Sequence, residues 1–138
     1  MRKKTAFKTT TTRKMIWMSF FGLAEPCKPV GVADRLMIPD SSMTASSVYS
    51  SSYYPYYGRF NETRGARRWC PRTTSNRRDY IQIDVGSVIS ICAIATQGTR
   101  SSEYTTSYKL QFSANGATWD TYKVKNSEKV LQYEMVSH

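Results

Sequence analysis

Tyr80-Ile81-Gln82-Ile83-Asp84-Val85-Gly86-Ser87-Val88-Ile89-Ser90-Ile91-Cys92-Ala93-Ile94-Ala95-Thr96-Gln97-Gly98 is the stretch whose reading decides the fold. Its first half alternates Ile81, Ile83 and Val85 with Gln82 and Asp84, the period of a strand with one buried face. Gly86-Ser87 is a turn signal. Val88–Ala95 is β-branched and more continuously apolar, as in a strand covered on both sides. The stretch therefore predicts a pair of strands ending in a polar Thr96-Gln97-Gly98 corner.

The pattern continues outward. Tyr108, Leu110 and Phe112 alternate with Lys109, Gln111 and Ser113, and Asn115-Gly116 offers the residues of a tight hairpin turn. Trp119 and Tyr122 follow, and residues 129–133 predict a last short strand. After residue 27 no segment sustains a helical period over three turns, while Pro29, Gly31, Pro39, Pro55, Gly58, Gly65 and Pro71 fall at expected turns. The chain reads as all-β. Ser46–Tyr57 is a loop by composition and carries Tyr49, Tyr53, Tyr54, Tyr56 and Tyr57.

A chain of 138 residues is one domain at most, and 40% hydrophobic with 13% aromatic residues supports a packed core. The formal charge of +10 suggests nucleic acid until its distribution is considered. Arg2, Lys3, Lys4, Lys8, Arg13 and Lys14 are six of the 20 basic residues, and none of the 10 acidic residues lies in the first 24, so the remainder is only +4. This basic stretch precedes the apolar run Met15–Ala24, ten residues long. That is too short to span a bilayer and suits the core of a signal peptide, with small residues at Gly22 and Ala24. Residues 1–24 are thus expected to be a signal peptide cleaved after Ala24, a short amphipathic helix being the alternative.

Cys27, Cys70 and Cys92 lack CxxC spacing, and the single histidine is the terminal His138, which argues against zinc. In an exported chain Cys70 and Cys92 are the better candidate pair, buried thiols being the alternative. The bridge would close a loop of about 22 residues, worth roughly 3 kcal/mol. The lone terminal histidine also argues against Ser-His-Asp or Cys-His catalysis, and there is no paired-carboxylate, P-loop or GxGxxG pattern, so no enzyme is expected.

Seven segments, in order, resemble the discoidin domain, also called the coagulation factor V/VIII type C domain. They are Cys27-x-x-x-Gly31; Ile38-Pro39-Asp40 with Met43-Thr44-Ala45-Ser46-Ser47; Arg59-Phe60-Asn61; Trp69-x-Pro71; Tyr80-Ile81-Gln82-Ile83-Asp84-Val85-Gly86; Thr96-Gln97-Gly98 with Ser107-Tyr108-Lys109; and Asn115-Gly116-x-x-Trp119. The resemblance implies a jelly-roll β-barrel of the galactose-binding-like kind over residues 27–138, with loops at one end that bind ligand. It also implies a further closing segment and a closing cysteine that would pair with Cys27, so the barrel is expected to be incomplete at its C-terminal end and to leave strand edges unpaired.

On the same resemblance the binding loops are residues 48–58, 72–79 and 99–106. Tyr53, Tyr54, Tyr56 and Tyr57 are expected to contact ligand, together with Arg72, Arg77, Arg78, Arg100 and Ser101. Two or three of the tyrosine rings, Tyr49 among them, are expected to pack back on the barrel. Tyrosine beside arginine suits an anionic phospholipid, a glycan or a matrix protein such as collagen, in peripheral contact with a membrane where lipid is the target. Arg59, Arg64, Arg67, Arg68, Arg72, Arg77 and Arg78 form a cluster expected to attract anions, a solvated surface with ion pairs to Glu62 and Asp79 being the alternative. Asn61-Glu62-Thr63 is a glycosylation sequon, although Asn61 could instead be engaged structurally. No cofactor is expected. Some members of the family bind calcium, but nothing in the aspartate spacing supports it here. The expected function is a secreted, extracellular recognition module for adhesion. The alternatives are a targeting module of a larger secreted or receptor protein, and a basic nucleic-acid-binding domain, which export and the low charge beyond residue 24 oppose.

Overall fold

The computed structural model describes residues 4–9, 19–22, 28–73, 75–87, 89, 91–97, 105, 107–125, 127–128 and 130–132. Among these, helical structure is confined to three short 3-10 turns at Asp40–Ser42, Ser51–Tyr53 and Pro55–Gly58. The strands are β1 (Lys4–Thr9), β2 (Ser19–Gly22), β3 (Lys28–Pro29), β4 (Met43–Ala45), β5 (Tyr80–Asp84), β6 (Ile91–Ala95), β7 (Ser107–Phe112), β8 (Asp120–Thr121), β9 (Lys123–Val124), β10 (Ser127–Glu128) and β11 (Val130–Gln132). One sheet runs β11-β7-β1-β5-β4 with β8 added to β7, a second runs β3-β2-β6, and β9 and β10 form a small hairpin.

The alternation read from the sequence sets the core. Ile81 and Ile83 of β5 are wholly buried, and Tyr108 and Leu110 of β7 are buried two residues apart in the same way. Met43 lies opposite Ile83 across the β4–β5 ladder and is buried with it. Val32, Ile38 and Trp69 complete the cluster. Ile91 and Ile94 of β6 pack against it, so the second sheet lies over the first as the other layer of a sandwich. Each wholly buried isoleucine contributes about 1.5–3 kcal/mol. The expected all-β, discoidin-type jelly roll is what the chain forms.

The two strands expected in residues 80–95 are present as β5 and β6, but in different sheets: β5 pairs with β1 and β4, whereas β6 pairs with β2. Gly86, at φ 76°, turns the chain from one layer to the other, with its N–H donated to Asp84 Oδ1 at 2.9 Å. The tight hairpin turn expected at Asn115-Gly116 is not made. Phe112 pairs with Asp120, leaving seven residues between them, and Asn115 Oδ1 accepts the amides of Ala117 and Thr118 at 2.9 Å each. The side chain now satisfies amides that a tight hairpin would have given to the ladder. The expected last short strand is present as β11, paired with β7.

The segment read as a leader supplies backbone to both sheets. β1 runs antiparallel between β5 and β7, with Phe7 in register with Ile81 on one side and Leu110 on the other. β2 lies between β3 and β6. As a result β5 and β7 are paired along both edges. Cleavage after Ala24 would remove both strands. A chain starting at Glu25 is therefore expected to melt earlier than the full chain and to self-associate through the uncovered edges of β5 and β7. A loss of only 2 kcal/mol would lower Tm by roughly 4–8 °C at this size. Calorimetry with light scattering checks it, and a sharp monomeric melt at the full-length temperature would overturn it.

Candidate functional site

The site is built on a buried guanidinium. Arg59, only 1% exposed, donates from one terminal nitrogen to the carbonyl of Val32 at 2.6 Å. The other terminal nitrogen donates to the carbonyl of Ile38 at 2.7 Å and to Asp40 Oδ1 at 2.9 Å. Arg64 takes the rest of that carboxylate, reaching Asp40 Oδ2 at 2.9 Å and Glu62 Oε2 at 2.8 Å. Glu62 Oε1 accepts the amides of Thr63 and Arg64, each at 2.9 Å. Two arginines of the expected anion-attracting cluster thus serve to fix the chain. The expected pairing of Glu62 with arginine is present.

This network carries the tyrosine loop. The Arg64 guanidinium lies 5.8 Å from the ring centre of Tyr56 and 5.6 Å from that of Tyr57. Tyr56 meets Tyr57 edge-on at 4.7 Å and stacks on Tyr54 at 5.4 Å. Arg68 sits 5.2 Å over Tyr53, which is edge-on to Tyr49 at 5.6 Å. Gly65 has φ +54°, and a Cβ there would meet the Tyr57 ring at 2.5 Å, so no larger residue fits without moving that ring.

The loop bases are clamped together. Asp79 is buried and accepts the hydroxyls of Ser46 at 2.6 Å and Ser47 at 2.8 Å. Ser46 Oγ accepts the Tyr80 amide at 2.9 Å, and Ser47 Oγ accepts the Arg72 amide at 3.1 Å. The Trp69 indole N–H donates to Ser47 O at 2.9 Å, and the Tyr49 amide donates to Cys70 O at 2.9 Å. Loops 48–58 and 72–79 therefore leave the barrel from one rigid base. Both serines thus hold the Asp79 carboxylate.

The predicted ligand residues divide in two. Tyr53, Tyr56 and Tyr57 are half-buried within the arginine-backed cluster, while Tyr54 is 38% exposed. Tyr49, expected to pack inward, is the most exposed of the five at 65%, because its partner Tyr53 is held by Arg68 and leaves it the outer place. Arg72, Arg77 and Arg78 are exposed, as is Arg67, and their guanidinium groups have no partner among the described residues. Arg100 and Ser101 lie outside the described residues. Cys70 is buried with Sγ 3.5 Å from Pro71 O; the side chain of Cys92, and with it the expected bridge, lies outside the described residues. Asn61 is exposed and adopts φ +57°. Among the described residues no three His, Cys, Asp or Glu side chains gather as they would around a metal.

Sequence reasoning missed the buried role of Arg59. The available signal was Asp40 and Glu62, the only two acids in residues 35–78.

The network makes stability depend on pH. Hydrogen bonding from Arg64, assisted by Arg59 and opposed by burial, holds the Asp40 carboxyl below its ordinary value. Burial alone would raise Glu62, but the Arg64 side chain and the Thr63 and Arg64 amides together hold it lower. Carboxyls depressed on folding contribute stability that is fully present above the ordinary carboxylate range and is lost as pH falls through their folded values. Denaturation midpoints should fall from pH 5 toward pH 3, and Asp40→Asn should flatten that fall. Arg59→Ala should be strongly destabilising, because it leaves the buried carbonyls of Val32 and Ile38 without their donor, at about 1–3 kcal/mol each. Urea titration measures both.

The sequence model of the F5/8 type C domain matches residues 42–136. Lactadherin of Mus musculus is 32% identical over 114 residues, covering 76% of this chain and 24% of its own. Lactadherin of Bos taurus is 33% identical over 105 residues, covering 70% of this chain and 24% of its own. The chain spans about a quarter of the length of these relatives. No solved structure matches it significantly.

Proposed function

This chain belongs to the F5/8 type C, or discoidin, family, and we propose that it is an extracellular recognition module that binds an anionic phospholipid surface through the 48–58 and 72–79 loops. The observation that carries this reading is the pairing of exposed rings with unpartnered cations. Tyr49 and Tyr54 stand out from a cluster whose other rings are held by Arg64 and Arg68, and exposed Arg72, Arg77 and Arg78 lie on the second loop of the same clamped base. A tyrosine ring suits the boundary between acyl chains and head groups, and a guanidinium binds phosphate bidentately. Rigid loops lose little conformational freedom on binding. The role of each group is then distinct: tyrosine enters the interface, arginine selects the anion, and the Arg59 and Asp79 contacts hold both in place.

The relatives' greater length supports a place for this module within a longer secreted or receptor protein, where it would direct its companions to a surface. Binding, rather than catalysis, is the activity proposed.

Sedimentation with phosphatidylserine-containing and phosphatidylcholine-only vesicles tests the reading. The full chain should sediment with the first and not the second. Tyr49→Ser combined with Tyr54→Ser should weaken binding about tenfold or more, as for interfacial hot spots, at unchanged Tm. Arg72, Arg77 and Arg78→Gln should remove the preference for the anionic vesicle. Equal binding to both vesicles, or no effect of the tyrosine pair, would overturn it. A steep loss of single-stranded DNA binding with salt, without vesicle binding, would favour a nucleic-acid module instead.

A further inference from the structure

An open groove of about 740 Å³ lies between the 33–40 turn and the 60–62 corner, and none of the residues assigned to lipid lines it. Its apolar wall is Leu36, Pro39 and Phe60, and Asp34 lies at its polar edge. Leu36 is 92% exposed although the backbone beneath it is fixed. The Leu36 amide donates to Asp34 Oδ1 at 2.8 Å, and the Ile38 amide donates to Asp34 O at 3.0 Å. The turn thus presents the Leu36 side chain outward beside the groove.

The covering group is attached at the groove itself. Asn61 lines it and opens the tripeptide Asn61-Glu62-Thr63. Glu62 turns inward, its side chain only 7% exposed and bonded to Arg64. Asn61 and Thr63 are thereby left on the outside, and the Asn61 side chain makes no hydrogen bond among the described residues. The structural engagement considered for Asn61 is therefore not found among them.

We propose that Asn61 carries an N-linked glycan whose first sugars lie in this groove. Their apolar C–H faces rest on Leu36, Pro39 and Phe60, and their hydroxyls face Asp34. The volume is within the roughly 300–1,000 Å³ of ligand clefts. In forming the linkage, the Asn61 amide nitrogen bonds to the anomeric carbon of a lipid-pyrophosphate-linked oligosaccharide. The anomeric carbon–oxygen bond breaks, the lipid pyrophosphate leaves, and the amide gives up one proton. The inference rests on the extracellular reading, since this donor belongs to the secretory route.

The test is expression of the full chain in cultured animal cells, once as it stands and once behind a heterologous leader, recovering protein from cells and medium together. Retention of the first form with export of the second would count against the extracellular reading alone. In the leader-bearing form we expect one N-glycan by intact mass. Peptide N-glycosidase should remove it, converting Asn61 to aspartate, and Asn61→Gln or Thr63→Ala should abolish it. Recovery of that form solely at its unmodified mass overturns the proposal. Amide hydrogen exchange across residues 33–40 should be several-fold slower before enzymatic removal than after. Leu36→Ser should keep the glycan and lose the protection. Equal exchange in the two states, or protection of the sugar-free chain that grows with its concentration, overturns the seating in the groove.

Discussion

Arg59 is the constraint on which the rest depends. A guanidinium almost wholly removed from water must have its charge met, and here both terminal nitrogens are engaged, by the carbonyls of Val32 and Ile38 and the carboxylate of Asp40. Because Arg59 directly follows the tyrosine loop, fixing it fixes that loop's exit. The same carboxylate then engages Arg64, whose guanidinium lies over two of the loop's rings. Burying such a pair is weak evidence for net stability, but leaving either partner alone in that place is costly. The arrangement is therefore better understood as enforcing one geometry than as adding strength.

The chain's positive charge takes on a different meaning in this light. Arg59 and Arg64 are neutralised internally, and Arg68 lies against Tyr53. Among the arginines of residues 59–78, those that remain outward-facing are Arg67 and the three on the 72–79 loop. A count of basic residues therefore overstates the field that a ligand would meet, while their position makes the remaining field local.

Where burial follows a short period, the sequence was legible. Ile81 and Ile83, and Tyr108 and Leu110, were readable as inward-facing because a strand alternates strictly. Pairing partners were not legible, because no local signal tells a turn within a sheet from a crossing between sheets. Gly86 serves the second purpose with the residue that would equally serve the first. The residues of the site were visible as types, tyrosine and arginine, but their roles were not. Whether a ring such as Tyr49 or Tyr53 takes the outer place is decided by a guanidinium fifteen residues along the chain from the latter, and nothing in the local pattern encodes that. The Asp79–Ser46–Ser47 clamp was likewise hidden, since its members are about thirty residues apart and none is unusual in its own surroundings.

The place of β1 at the middle of the larger sheet has a temporal consequence. This strand leaves the ribosome before its partners, and one of them, β7, begins only at residue 107. At about 5–20 residues per second, the interval between them is roughly 5–20 s. Throughout it, a strand able to pair on both edges has no native partner on one of them. Whatever shelters residues 4–9 during synthesis, whether a chaperone, the translocation machinery or a transient local structure, acts before the sheet exists and decides whether it can be completed.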